Sequence, residues 1–359
     1  MEPKEFLSPE ERFAAPDDPA LQYTGRIDFD DPSAPVFVYP YTSVKLRFTG
    51  TELKVILKNR HFYCDNYIGF LLDGEQRAIL LPQEEKTVCL TLAECLPEGE
   101  HELFLFKRMD ICHIFTLYGF VLDRGARISA PEEKPDRKIE VFGDSVSAGE
   151  LSEAVEFVGN YDPPHNGEYS NSYFSYAAAA ARRLGAQLHD VSQGGIALLH
   201  GTGFYFGPDY IGMEEVWDKL VYHPELDWVK KWDFSRYTPH VVIVAIGQND
   251  AHPVNYMQED CKSERSENWR RHYEVFLRSL RQTYPKALIV AATTIMCHHP
   301  NWDDSIGAVC ERIGDPKLVH FLYSRNGSGT PGHIRISEAE EMAEELSGFL
   351  QSFGDEIWR

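Results

Sequence analysis

From Gly25 to Asp123 hydrophobic and polar residues alternate in short runs, the two-residue period of strands that bury one face. Val44, Leu46 and Phe48 alternate with Ser43, Lys45 and Arg47, and Leu53, Val55 and Leu57 repeat the pattern. Further strands are expected at 67–72, 87–92, 102–107 and 114–122, punctuated by Thr49-Gly50, Asp73-Gly74 and Pro97-Glu98-Gly99. Closely spaced turns without helical periodicity predict an all-β sandwich over residues 25–130, after an N-terminal extension over 1–24. A Pro- and charge-rich stretch at 131–137 reads as a linker.

Beyond it the pattern changes. Short apolar runs at 138–142, 187–191, 240–246, 288–292 and 318–322 suit parallel strands covered on both faces. Helical segments separate them: an Ala-rich one over 172–184, and one over 267–283 with Trp269, Tyr273, Phe276, Leu277 and Leu280 at helical spacing. A last helix is expected to open on a capping box, Ser337 with Glu340, followed by a stripe of Ala339, Met342, Ala343, Leu346 and Leu350. Residues 138–359 thus read as a three-layer α/β domain with a parallel sheet. Ligands of such sheets bind outside the carboxyl ends of the strands.

The segments after those strands are rich in chemistry. They read Gly143-Asp144-Ser145-Val146, Ser192-Gln193-Gly194-Gly195 and Gly247-Gln248-Asn249-Asp250, and His333 precedes the last helix. A hydroxyl, a glycine backbone, a carboxamide and an imidazole at one rim are what acyl transfer requires. The imidazole removes the serine proton, and the amide donors hold the oxyanion. Taken singly, Ser145 is an ordinary turn serine, Gly194 and Gly195 are turn glycines, and Asn249 and His333 are loop residues.

In their order and spacing, these four blocks resemble the SGNH (GDSL-type) hydrolases. With the preceding sandwich, whose late strand runs into Phe106-Lys107-Arg108-Met109-Asp110, the chain resembles carbohydrate esterase family two from about Gly25 onward. The resemblance implies a jelly-roll-like sandwich ahead of an SGNH-type α/β domain and the removal of O-acetyl groups from carbohydrates. It implies Ser145 as nucleophile and His333 as base, with Ser145, Gly195 and Asn249 forming the oxyanion hole. Asp144 would shape the turn. Many family members place an aspartate shortly before the histidine, where this chain has Thr330 and Pro331. The imidazole is then oriented either by a backbone carbonyl, as in some family-two members, or by a carboxylate from another loop, Asp303 or Asp304 being the first to test.

His252, His298 and Tyr205 are candidates to line the substrate pocket, with Phe204, Phe206 and Tyr210 as a sugar-stacking wall or as core. The Cys297-His298-His299 run does not read as a metal site, because neighbours in an extended segment point in opposite directions. No metal and no cofactor is expected.

Composition narrows the partners. A net charge of −21 over 359 residues repels nucleic acid and anionic membranes, and leaves small-molecule or oligosaccharide substrates. Met1 to Arg12 carries no secretory pattern, the seven cysteines show no CxxC spacing, and a cytoplasmic location is expected. The sequence assigns no oligomeric state. The expected function is a carbohydrate O-acetyl esterase. The alternatives are another SGNH acyl-ester hydrolase, lipase- or thioesterase-like, and an inactive carbohydrate-binding protein.

Overall fold

The computed structural model describes residues 3–226 and 229–359. The chain divides into two compact units, the first running to Lys134 and taking in Asn166–Glu168, the second comprising Pro135–His165 and Tyr169–Arg359.

The first unit is a sandwich of two six-stranded antiparallel sheets. In one, His113–Asp123 pairs with Leu53–His61, which pairs with Thr87–Ala93. In the other, Glu100–Lys107 lies between Ser43–Thr49 and Tyr67–Leu72. The alternation read from the sequence is the burial pattern: Val44, Leu46 and Phe48 are buried, and they meet Leu53, Val55, Leu57, Phe115 and Leu117 in a single core. Phe37 and Phe115 stack at 4.5 Å within it.

Residues 1–24 are not an extension. Met1 and Glu2 lie outside the described residues, but Glu11–Ala14 pairs with His113–Asp123 and Gln22–Thr24 pairs with Ser43–Thr49. These strands are three or four residues long and mostly half-buried, too short to show a period. The strand Glu75–Leu80 likewise carries no periodic signal. It closes a hairpin through Asp73 (φ 52°) and Gly74 (φ 84°), a two-residue turn that favours glycine, and its exposed edge position demands no apolar alternation.

The second unit holds a five-stranded parallel sheet: Arg137–Gly143, Ala186–Ser192, Val241–Ala245, Leu288–Ala292 and Leu318–His320, in spatial order second, first, third, fourth, fifth. The third and fourth strands are buried along their whole length, as continuous apolar runs require. One helical layer packs Tyr176–Arg183 on Ile336–Gln351, and the other packs Glu264–Thr283 on Asn301–Ile313. The residues read as linker end in structure, since Arg137 already opens the first strand.

Three helix starts differ from expectation. The helix expected from 267 opens at Glu264, where the Ser263 hydroxyl caps it by accepting from Ser266 N–H at 3.1 Å. The Ala-rich segment breaks into a short turn, Ser172–Phe174, and a helix from Tyr176, because the Ser175 hydroxyl accepts from Ala178 N–H and caps the chain there. The last helix begins at Ile336, not after Ser337: Glu338 accepts from the backbone N–H of Arg335 at 3.0 Å and fixes the start two residues earlier.

Candidate active site

The carboxyl ends of the parallel strands bring the site together. After the first strand, the Asp144 carboxylate accepts from Val146 N–H at 3.0 Å and starts the short helix Ser145–Ala148. A side chain at Gly143 would lie 2.1 Å from Ser147 Oγ, so only glycine lets the chain turn this tightly behind the serine. Gly149, at φ 77°, ends the turn, and Glu150 N–H donates back to the Ser145 carbonyl at 2.9 Å.

His333 reaches Ser145 from the other end of the chain. Its Nε2 lies 2.8 Å from Ser145 Oγ, and its Nδ1 lies 2.7 Å from Asp162 Oδ2. A carboxylate on Nδ1 fixes the tautomer: Nδ1–H donates to Asp162, and the Nε2 lone pair accepts from the serine hydroxyl. Asp162 is itself anchored. Its Oδ1 accepts from His333 N–H and from the fully buried Arg335 guanidinium, each at 2.8 Å, and Arg335 also donates to the His333 carbonyl.

The group that orients His333 is therefore Asp162, neither a backbone carbonyl nor Asp303 or Asp304. Asp303 sits 2.8 Å from His298 Nε2 and accepts from Thr293 Oγ1, and Asp304 is exposed in the first turn of its helix. Asp162 lies in the long loop between the first and second strands. The one sign of it in the sequence was that polar loop, Tyr161-Asp162-Pro163-Pro164-His165, too long to be a mere connection.

Charge at the site is shared among several groups. Burial opposes charge on His333, but Glu150 beside it and the hydrogen bond to Asp162 outweigh that, and its pKa rises above the ordinary 6.5. Burial also acts to raise Asp162, yet bonds from His165, His333 and Arg335 hold its carboxyl far below the usual range. Burial pushes Asp144 up to about 6.

The other two blocks are built around buried polar side chains. Gly195 has φ 70°, and a side chain there would meet Phe204 Cβ at 2.8 Å, so the loop requires glycine at this position. Asp250, fully buried, accepts from Leu198 N–H, Leu199 N–H and Thr202 Oγ1, which ties the loop after the third strand to the loop after the second. Asn249 Nδ2 donates to the Ile196 carbonyl at 3.0 Å and to Asp144 Oδ2 at 3.3 Å.

The residues read as pocket-lining separate. Phe204 is 58% exposed and stacks on His252 at 4.0 Å, while Tyr205 points the other way, is 4% exposed and packs on Tyr222. The exposed ring is thus Phe204, on the turn in which the N–H groups of Phe204 and Tyr205 both donate to the Gly195 carbonyl. His298 is no pocket residue. Its side chain is 3% exposed, and its ring nitrogens face Asp303 on one side and the Met296 carbonyl on the other.

Among the described residues, Asp162, His165 and His333 are the group with metal-ligand atoms within 4.8 Å of one another. Those atoms are spent on the hydrogen bond from His333 and the ion pair from His165, so the cluster reads as proton-handling rather than as a metal site.

A serine–histidine–aspartate relay at the strand ends of a parallel sheet defines a hydrolase-type α/β domain. Residues 23–131 of the sandwich match the family model of the carbohydrate esterase 2 N-terminal domain. Over 351 residues, 94% of the chain, it is 30% identical to the cellulase/esterase CelE of Acetivibrio thermocellus, of whose length it spans 40%. It is 28% identical over 356 residues to an acetylxylan esterase/glucomannan deacetylase of Cellvibrio japonicus, covering 95% of this chain and 91% of that one. The solved family two carbohydrate esterase from Clostridium thermocellum in complex with cellohexaose superimposes with a TM-score of 0.77 at 26% identity, over 94% of this chain and 100% of that one. A family two esterase from Cellvibrio japonicus shares the fold, with a TM-score of 0.79 at 23% identity over 97% and 99% of the two chains. The chain resembles carbohydrate esterase family two in both units.

Proposed function

We propose that the protein is a serine esterase that removes O-acetyl groups from carbohydrates. The observation that carries this reading is the relay Ser145–His333–Asp162, closed at 2.8 and 2.7 Å. The names of the relatives, a cellulase/esterase and an acetylxylan esterase/glucomannan deacetylase, support the substrate class.

In this reading Ser145 Oγ attacks the acetyl carbonyl while its proton passes to His333 Nε2. The oxyanion accepts from the backbone N–H groups of Ser145 and Gly195 and from Asn249 Nδ2, whose longer bond, to Asp144, is the one it replaces. Collapse breaks the bond to the sugar oxygen, which takes the proton from Nε2 and leaves as the free hydroxyl. Water, deprotonated by the same nitrogen, then releases acetate from the acyl-enzyme. Phe204, stacked on His252 and one hydrogen bond from the Gly195 carbonyl, offers the flat apolar face on which a pyranose ring rests. The seven cysteines stand as free thiols, which supports placing the protein in a reducing compartment such as the cytoplasm.

Incubation with acetylated xylo- or manno-oligosaccharides is expected to release acetate, and Ser145→Ala to lower kcat/KM by about 10⁶. Turnover of long acyl esters with no acetate from any acetylated sugar would replace this reading with a lipase- or thioesterase-like one. Background rates in both the wild type and His333→Ala would replace it with a carbohydrate-binding role.

A further inference from the structure

Beside the relay lies a second histidine–carboxylate pair that the mechanism above does not use. His165 Nδ1 is 2.6 Å from Glu150 Oε1, and its Nε2 is 3.4 Å from Asp162 Oδ2, the same oxygen that receives the His333 Nδ1 proton. Glu150 in turn places Oε2 3.8 Å from His333 Nε2, and the two imidazoles meet edge to face at 5.3 Å. Glu150, His165, Asp162 and His333 form a closed circuit in which the two carboxylates alternate with the two imidazoles.

The circuit creates a difficulty and contains its answer. His333 has a carboxylate at each ring nitrogen, a bracket that favours the imidazolium, and an imidazolium cannot take the serine proton. We propose that His165 is a positioning residue for the catalytic histidine, a cation clamped between Glu150 and Asp162 that keeps these two carboxylates from holding His333 in its protonated form. The proposal rests on His333 being the base of the esterase reading.

Several observations support it. His165 has an anionic partner at each nitrogen, which pushes its pKa up to about 10 and keeps it charged through the neutral range. The remaining charged groups facing His333 are Arg335, which neutralises Asp162 through Oδ1, and the buried Asp144. Of the carboxylates facing His333, Glu150 and Asp162 are thus offset by the cations His165 and Arg335, with Asp144, its carboxyl raised to about 6, beside them, and the proton that His333 takes up is the charge of the catalytic step. The backbone is shaped to this end: the residue after Glu150 is Leu151, fully buried and left-handed at φ 54°, a strained conformation for a leucine that turns the chain back with Glu150 facing His333.

The test is the pH dependence of kcat/KM for 4-nitrophenyl acetate on the full chain, with an ¹⁵N-histidine NMR titration of His333 as a readout that needs no turnover. His165 is 41% exposed and therefore partly screened, so His165→Gln is expected to move the acid limb and the His333 titration upward by about one pH unit, roughly a tenfold loss of activity on the limb. Glu150→Gln is expected to move both downward by about as much, and the double variant to return to within about half a unit of wild type. If His165→Gln misfolds, the ¹⁵N titration of His165 itself in the wild type decides, a His165 that is neutral where His333 titrates overturning the proposal. A limb and titration that stay in place in both variants, or a loss equal at every pH, overturns the proposal and leaves His165 as a loop anchor. A wild type that hydrolyses no acetyl ester overturns the esterase reading instead, while the NMR titration still reports on the circuit.

Discussion

The second unit contains two histidine–aspartate pairs of nearly the same geometry, and only one of them leads to a nucleophile. His333 Nδ1 sits 2.7 Å from Asp162, and His298 Nε2 sits 2.8 Å from Asp303. Beyond His333 lies Ser145 Oγ. On the other nitrogen of His298 lie the Met296 carbonyl at 2.7 Å and the Gln248 carboxamide nitrogen at 3.0 Å, backbone and amide groups that hold the ring and are not nucleophiles. The pair itself is an orienting device. Chemistry depends on what occupies the far nitrogen: a hydroxyl makes a relay, whereas a carbonyl makes a brace. The brace has its own use, because Gln248, next to Asn249, bonds Thr294 and the Met296 carbonyl in the same cluster and so holds the loop after the third strand.

The comparison can be broken by exchanging the effects. Asp162→Asn is expected to cost about 10⁴ in kcat, because an amide on Nδ1 favours the wrong tautomer, and to lower the melting temperature as well, because the fully buried Arg335 loses its carboxylate. Asp303→Ala is expected to act on stability and hardly on catalysis. Removing one partner of a buried pair costs roughly 3 kcal/mol of stability, read as a lower denaturant midpoint, with kcat/KM of the folded protein falling less than about tenfold. If Asp303→Ala abolished activity in a fully folded protein, the brace would be part of the relay after all.

Smaller effects sharpen the contrast. Phe204→Ala is expected to raise KM for acetylated oligosaccharides by about tenfold with little change in kcat, since it removes a stacking face and no reacting group. The pH profile is expected to show an acid limb above 6.5. His333 must be neutral to take the serine proton, and its pKa is raised by Glu150 and Asp162 against the opposing effect of burial, so activity falls as pH drops through that raised value. In His298→Gln the limb is expected to stay in place, and a limb that moved would show the two pairs to be coupled.

The sandwich was readable because it repeats one simple rule: its central strands bury alternate residues, so Val44, Leu46 and Phe48 announce their face. The strands that escaped, Glu11–Ala14, Gln22–Thr24 and Glu75–Leu80, are short or lie at an edge, where pairing is made by backbone groups that carry no sequence signature. In the α/β unit the strands were legible from their apolar runs. The last helix start was not, because Glu338, rather than a serine cap, secures it.

For the site, sequence alone determined the blocks. Glycine at 143 and 195, serine at 145, asparagine at 249 and histidine at 333 are residue types that a turn or a proton transfer demands at fixed places after strands. Their physical requirements are local and therefore visible in the chain. What only the tertiary structure decided is which carboxylate meets which imidazole. Asp162 and His333 stand 171 residues apart and come together at 2.7 Å through the docking of one loop on another, whereas Asp303, the nearer choice along the chain, was taken by His298. A carboxylate's reach is a property of three-dimensional position, and any acceptor fixed at the right distance satisfies an imidazole N–H equally well. For that reason the Glu150–His165 pair left no mark in the linear pattern, and the orienting aspartate left only the long polar loop that carries it.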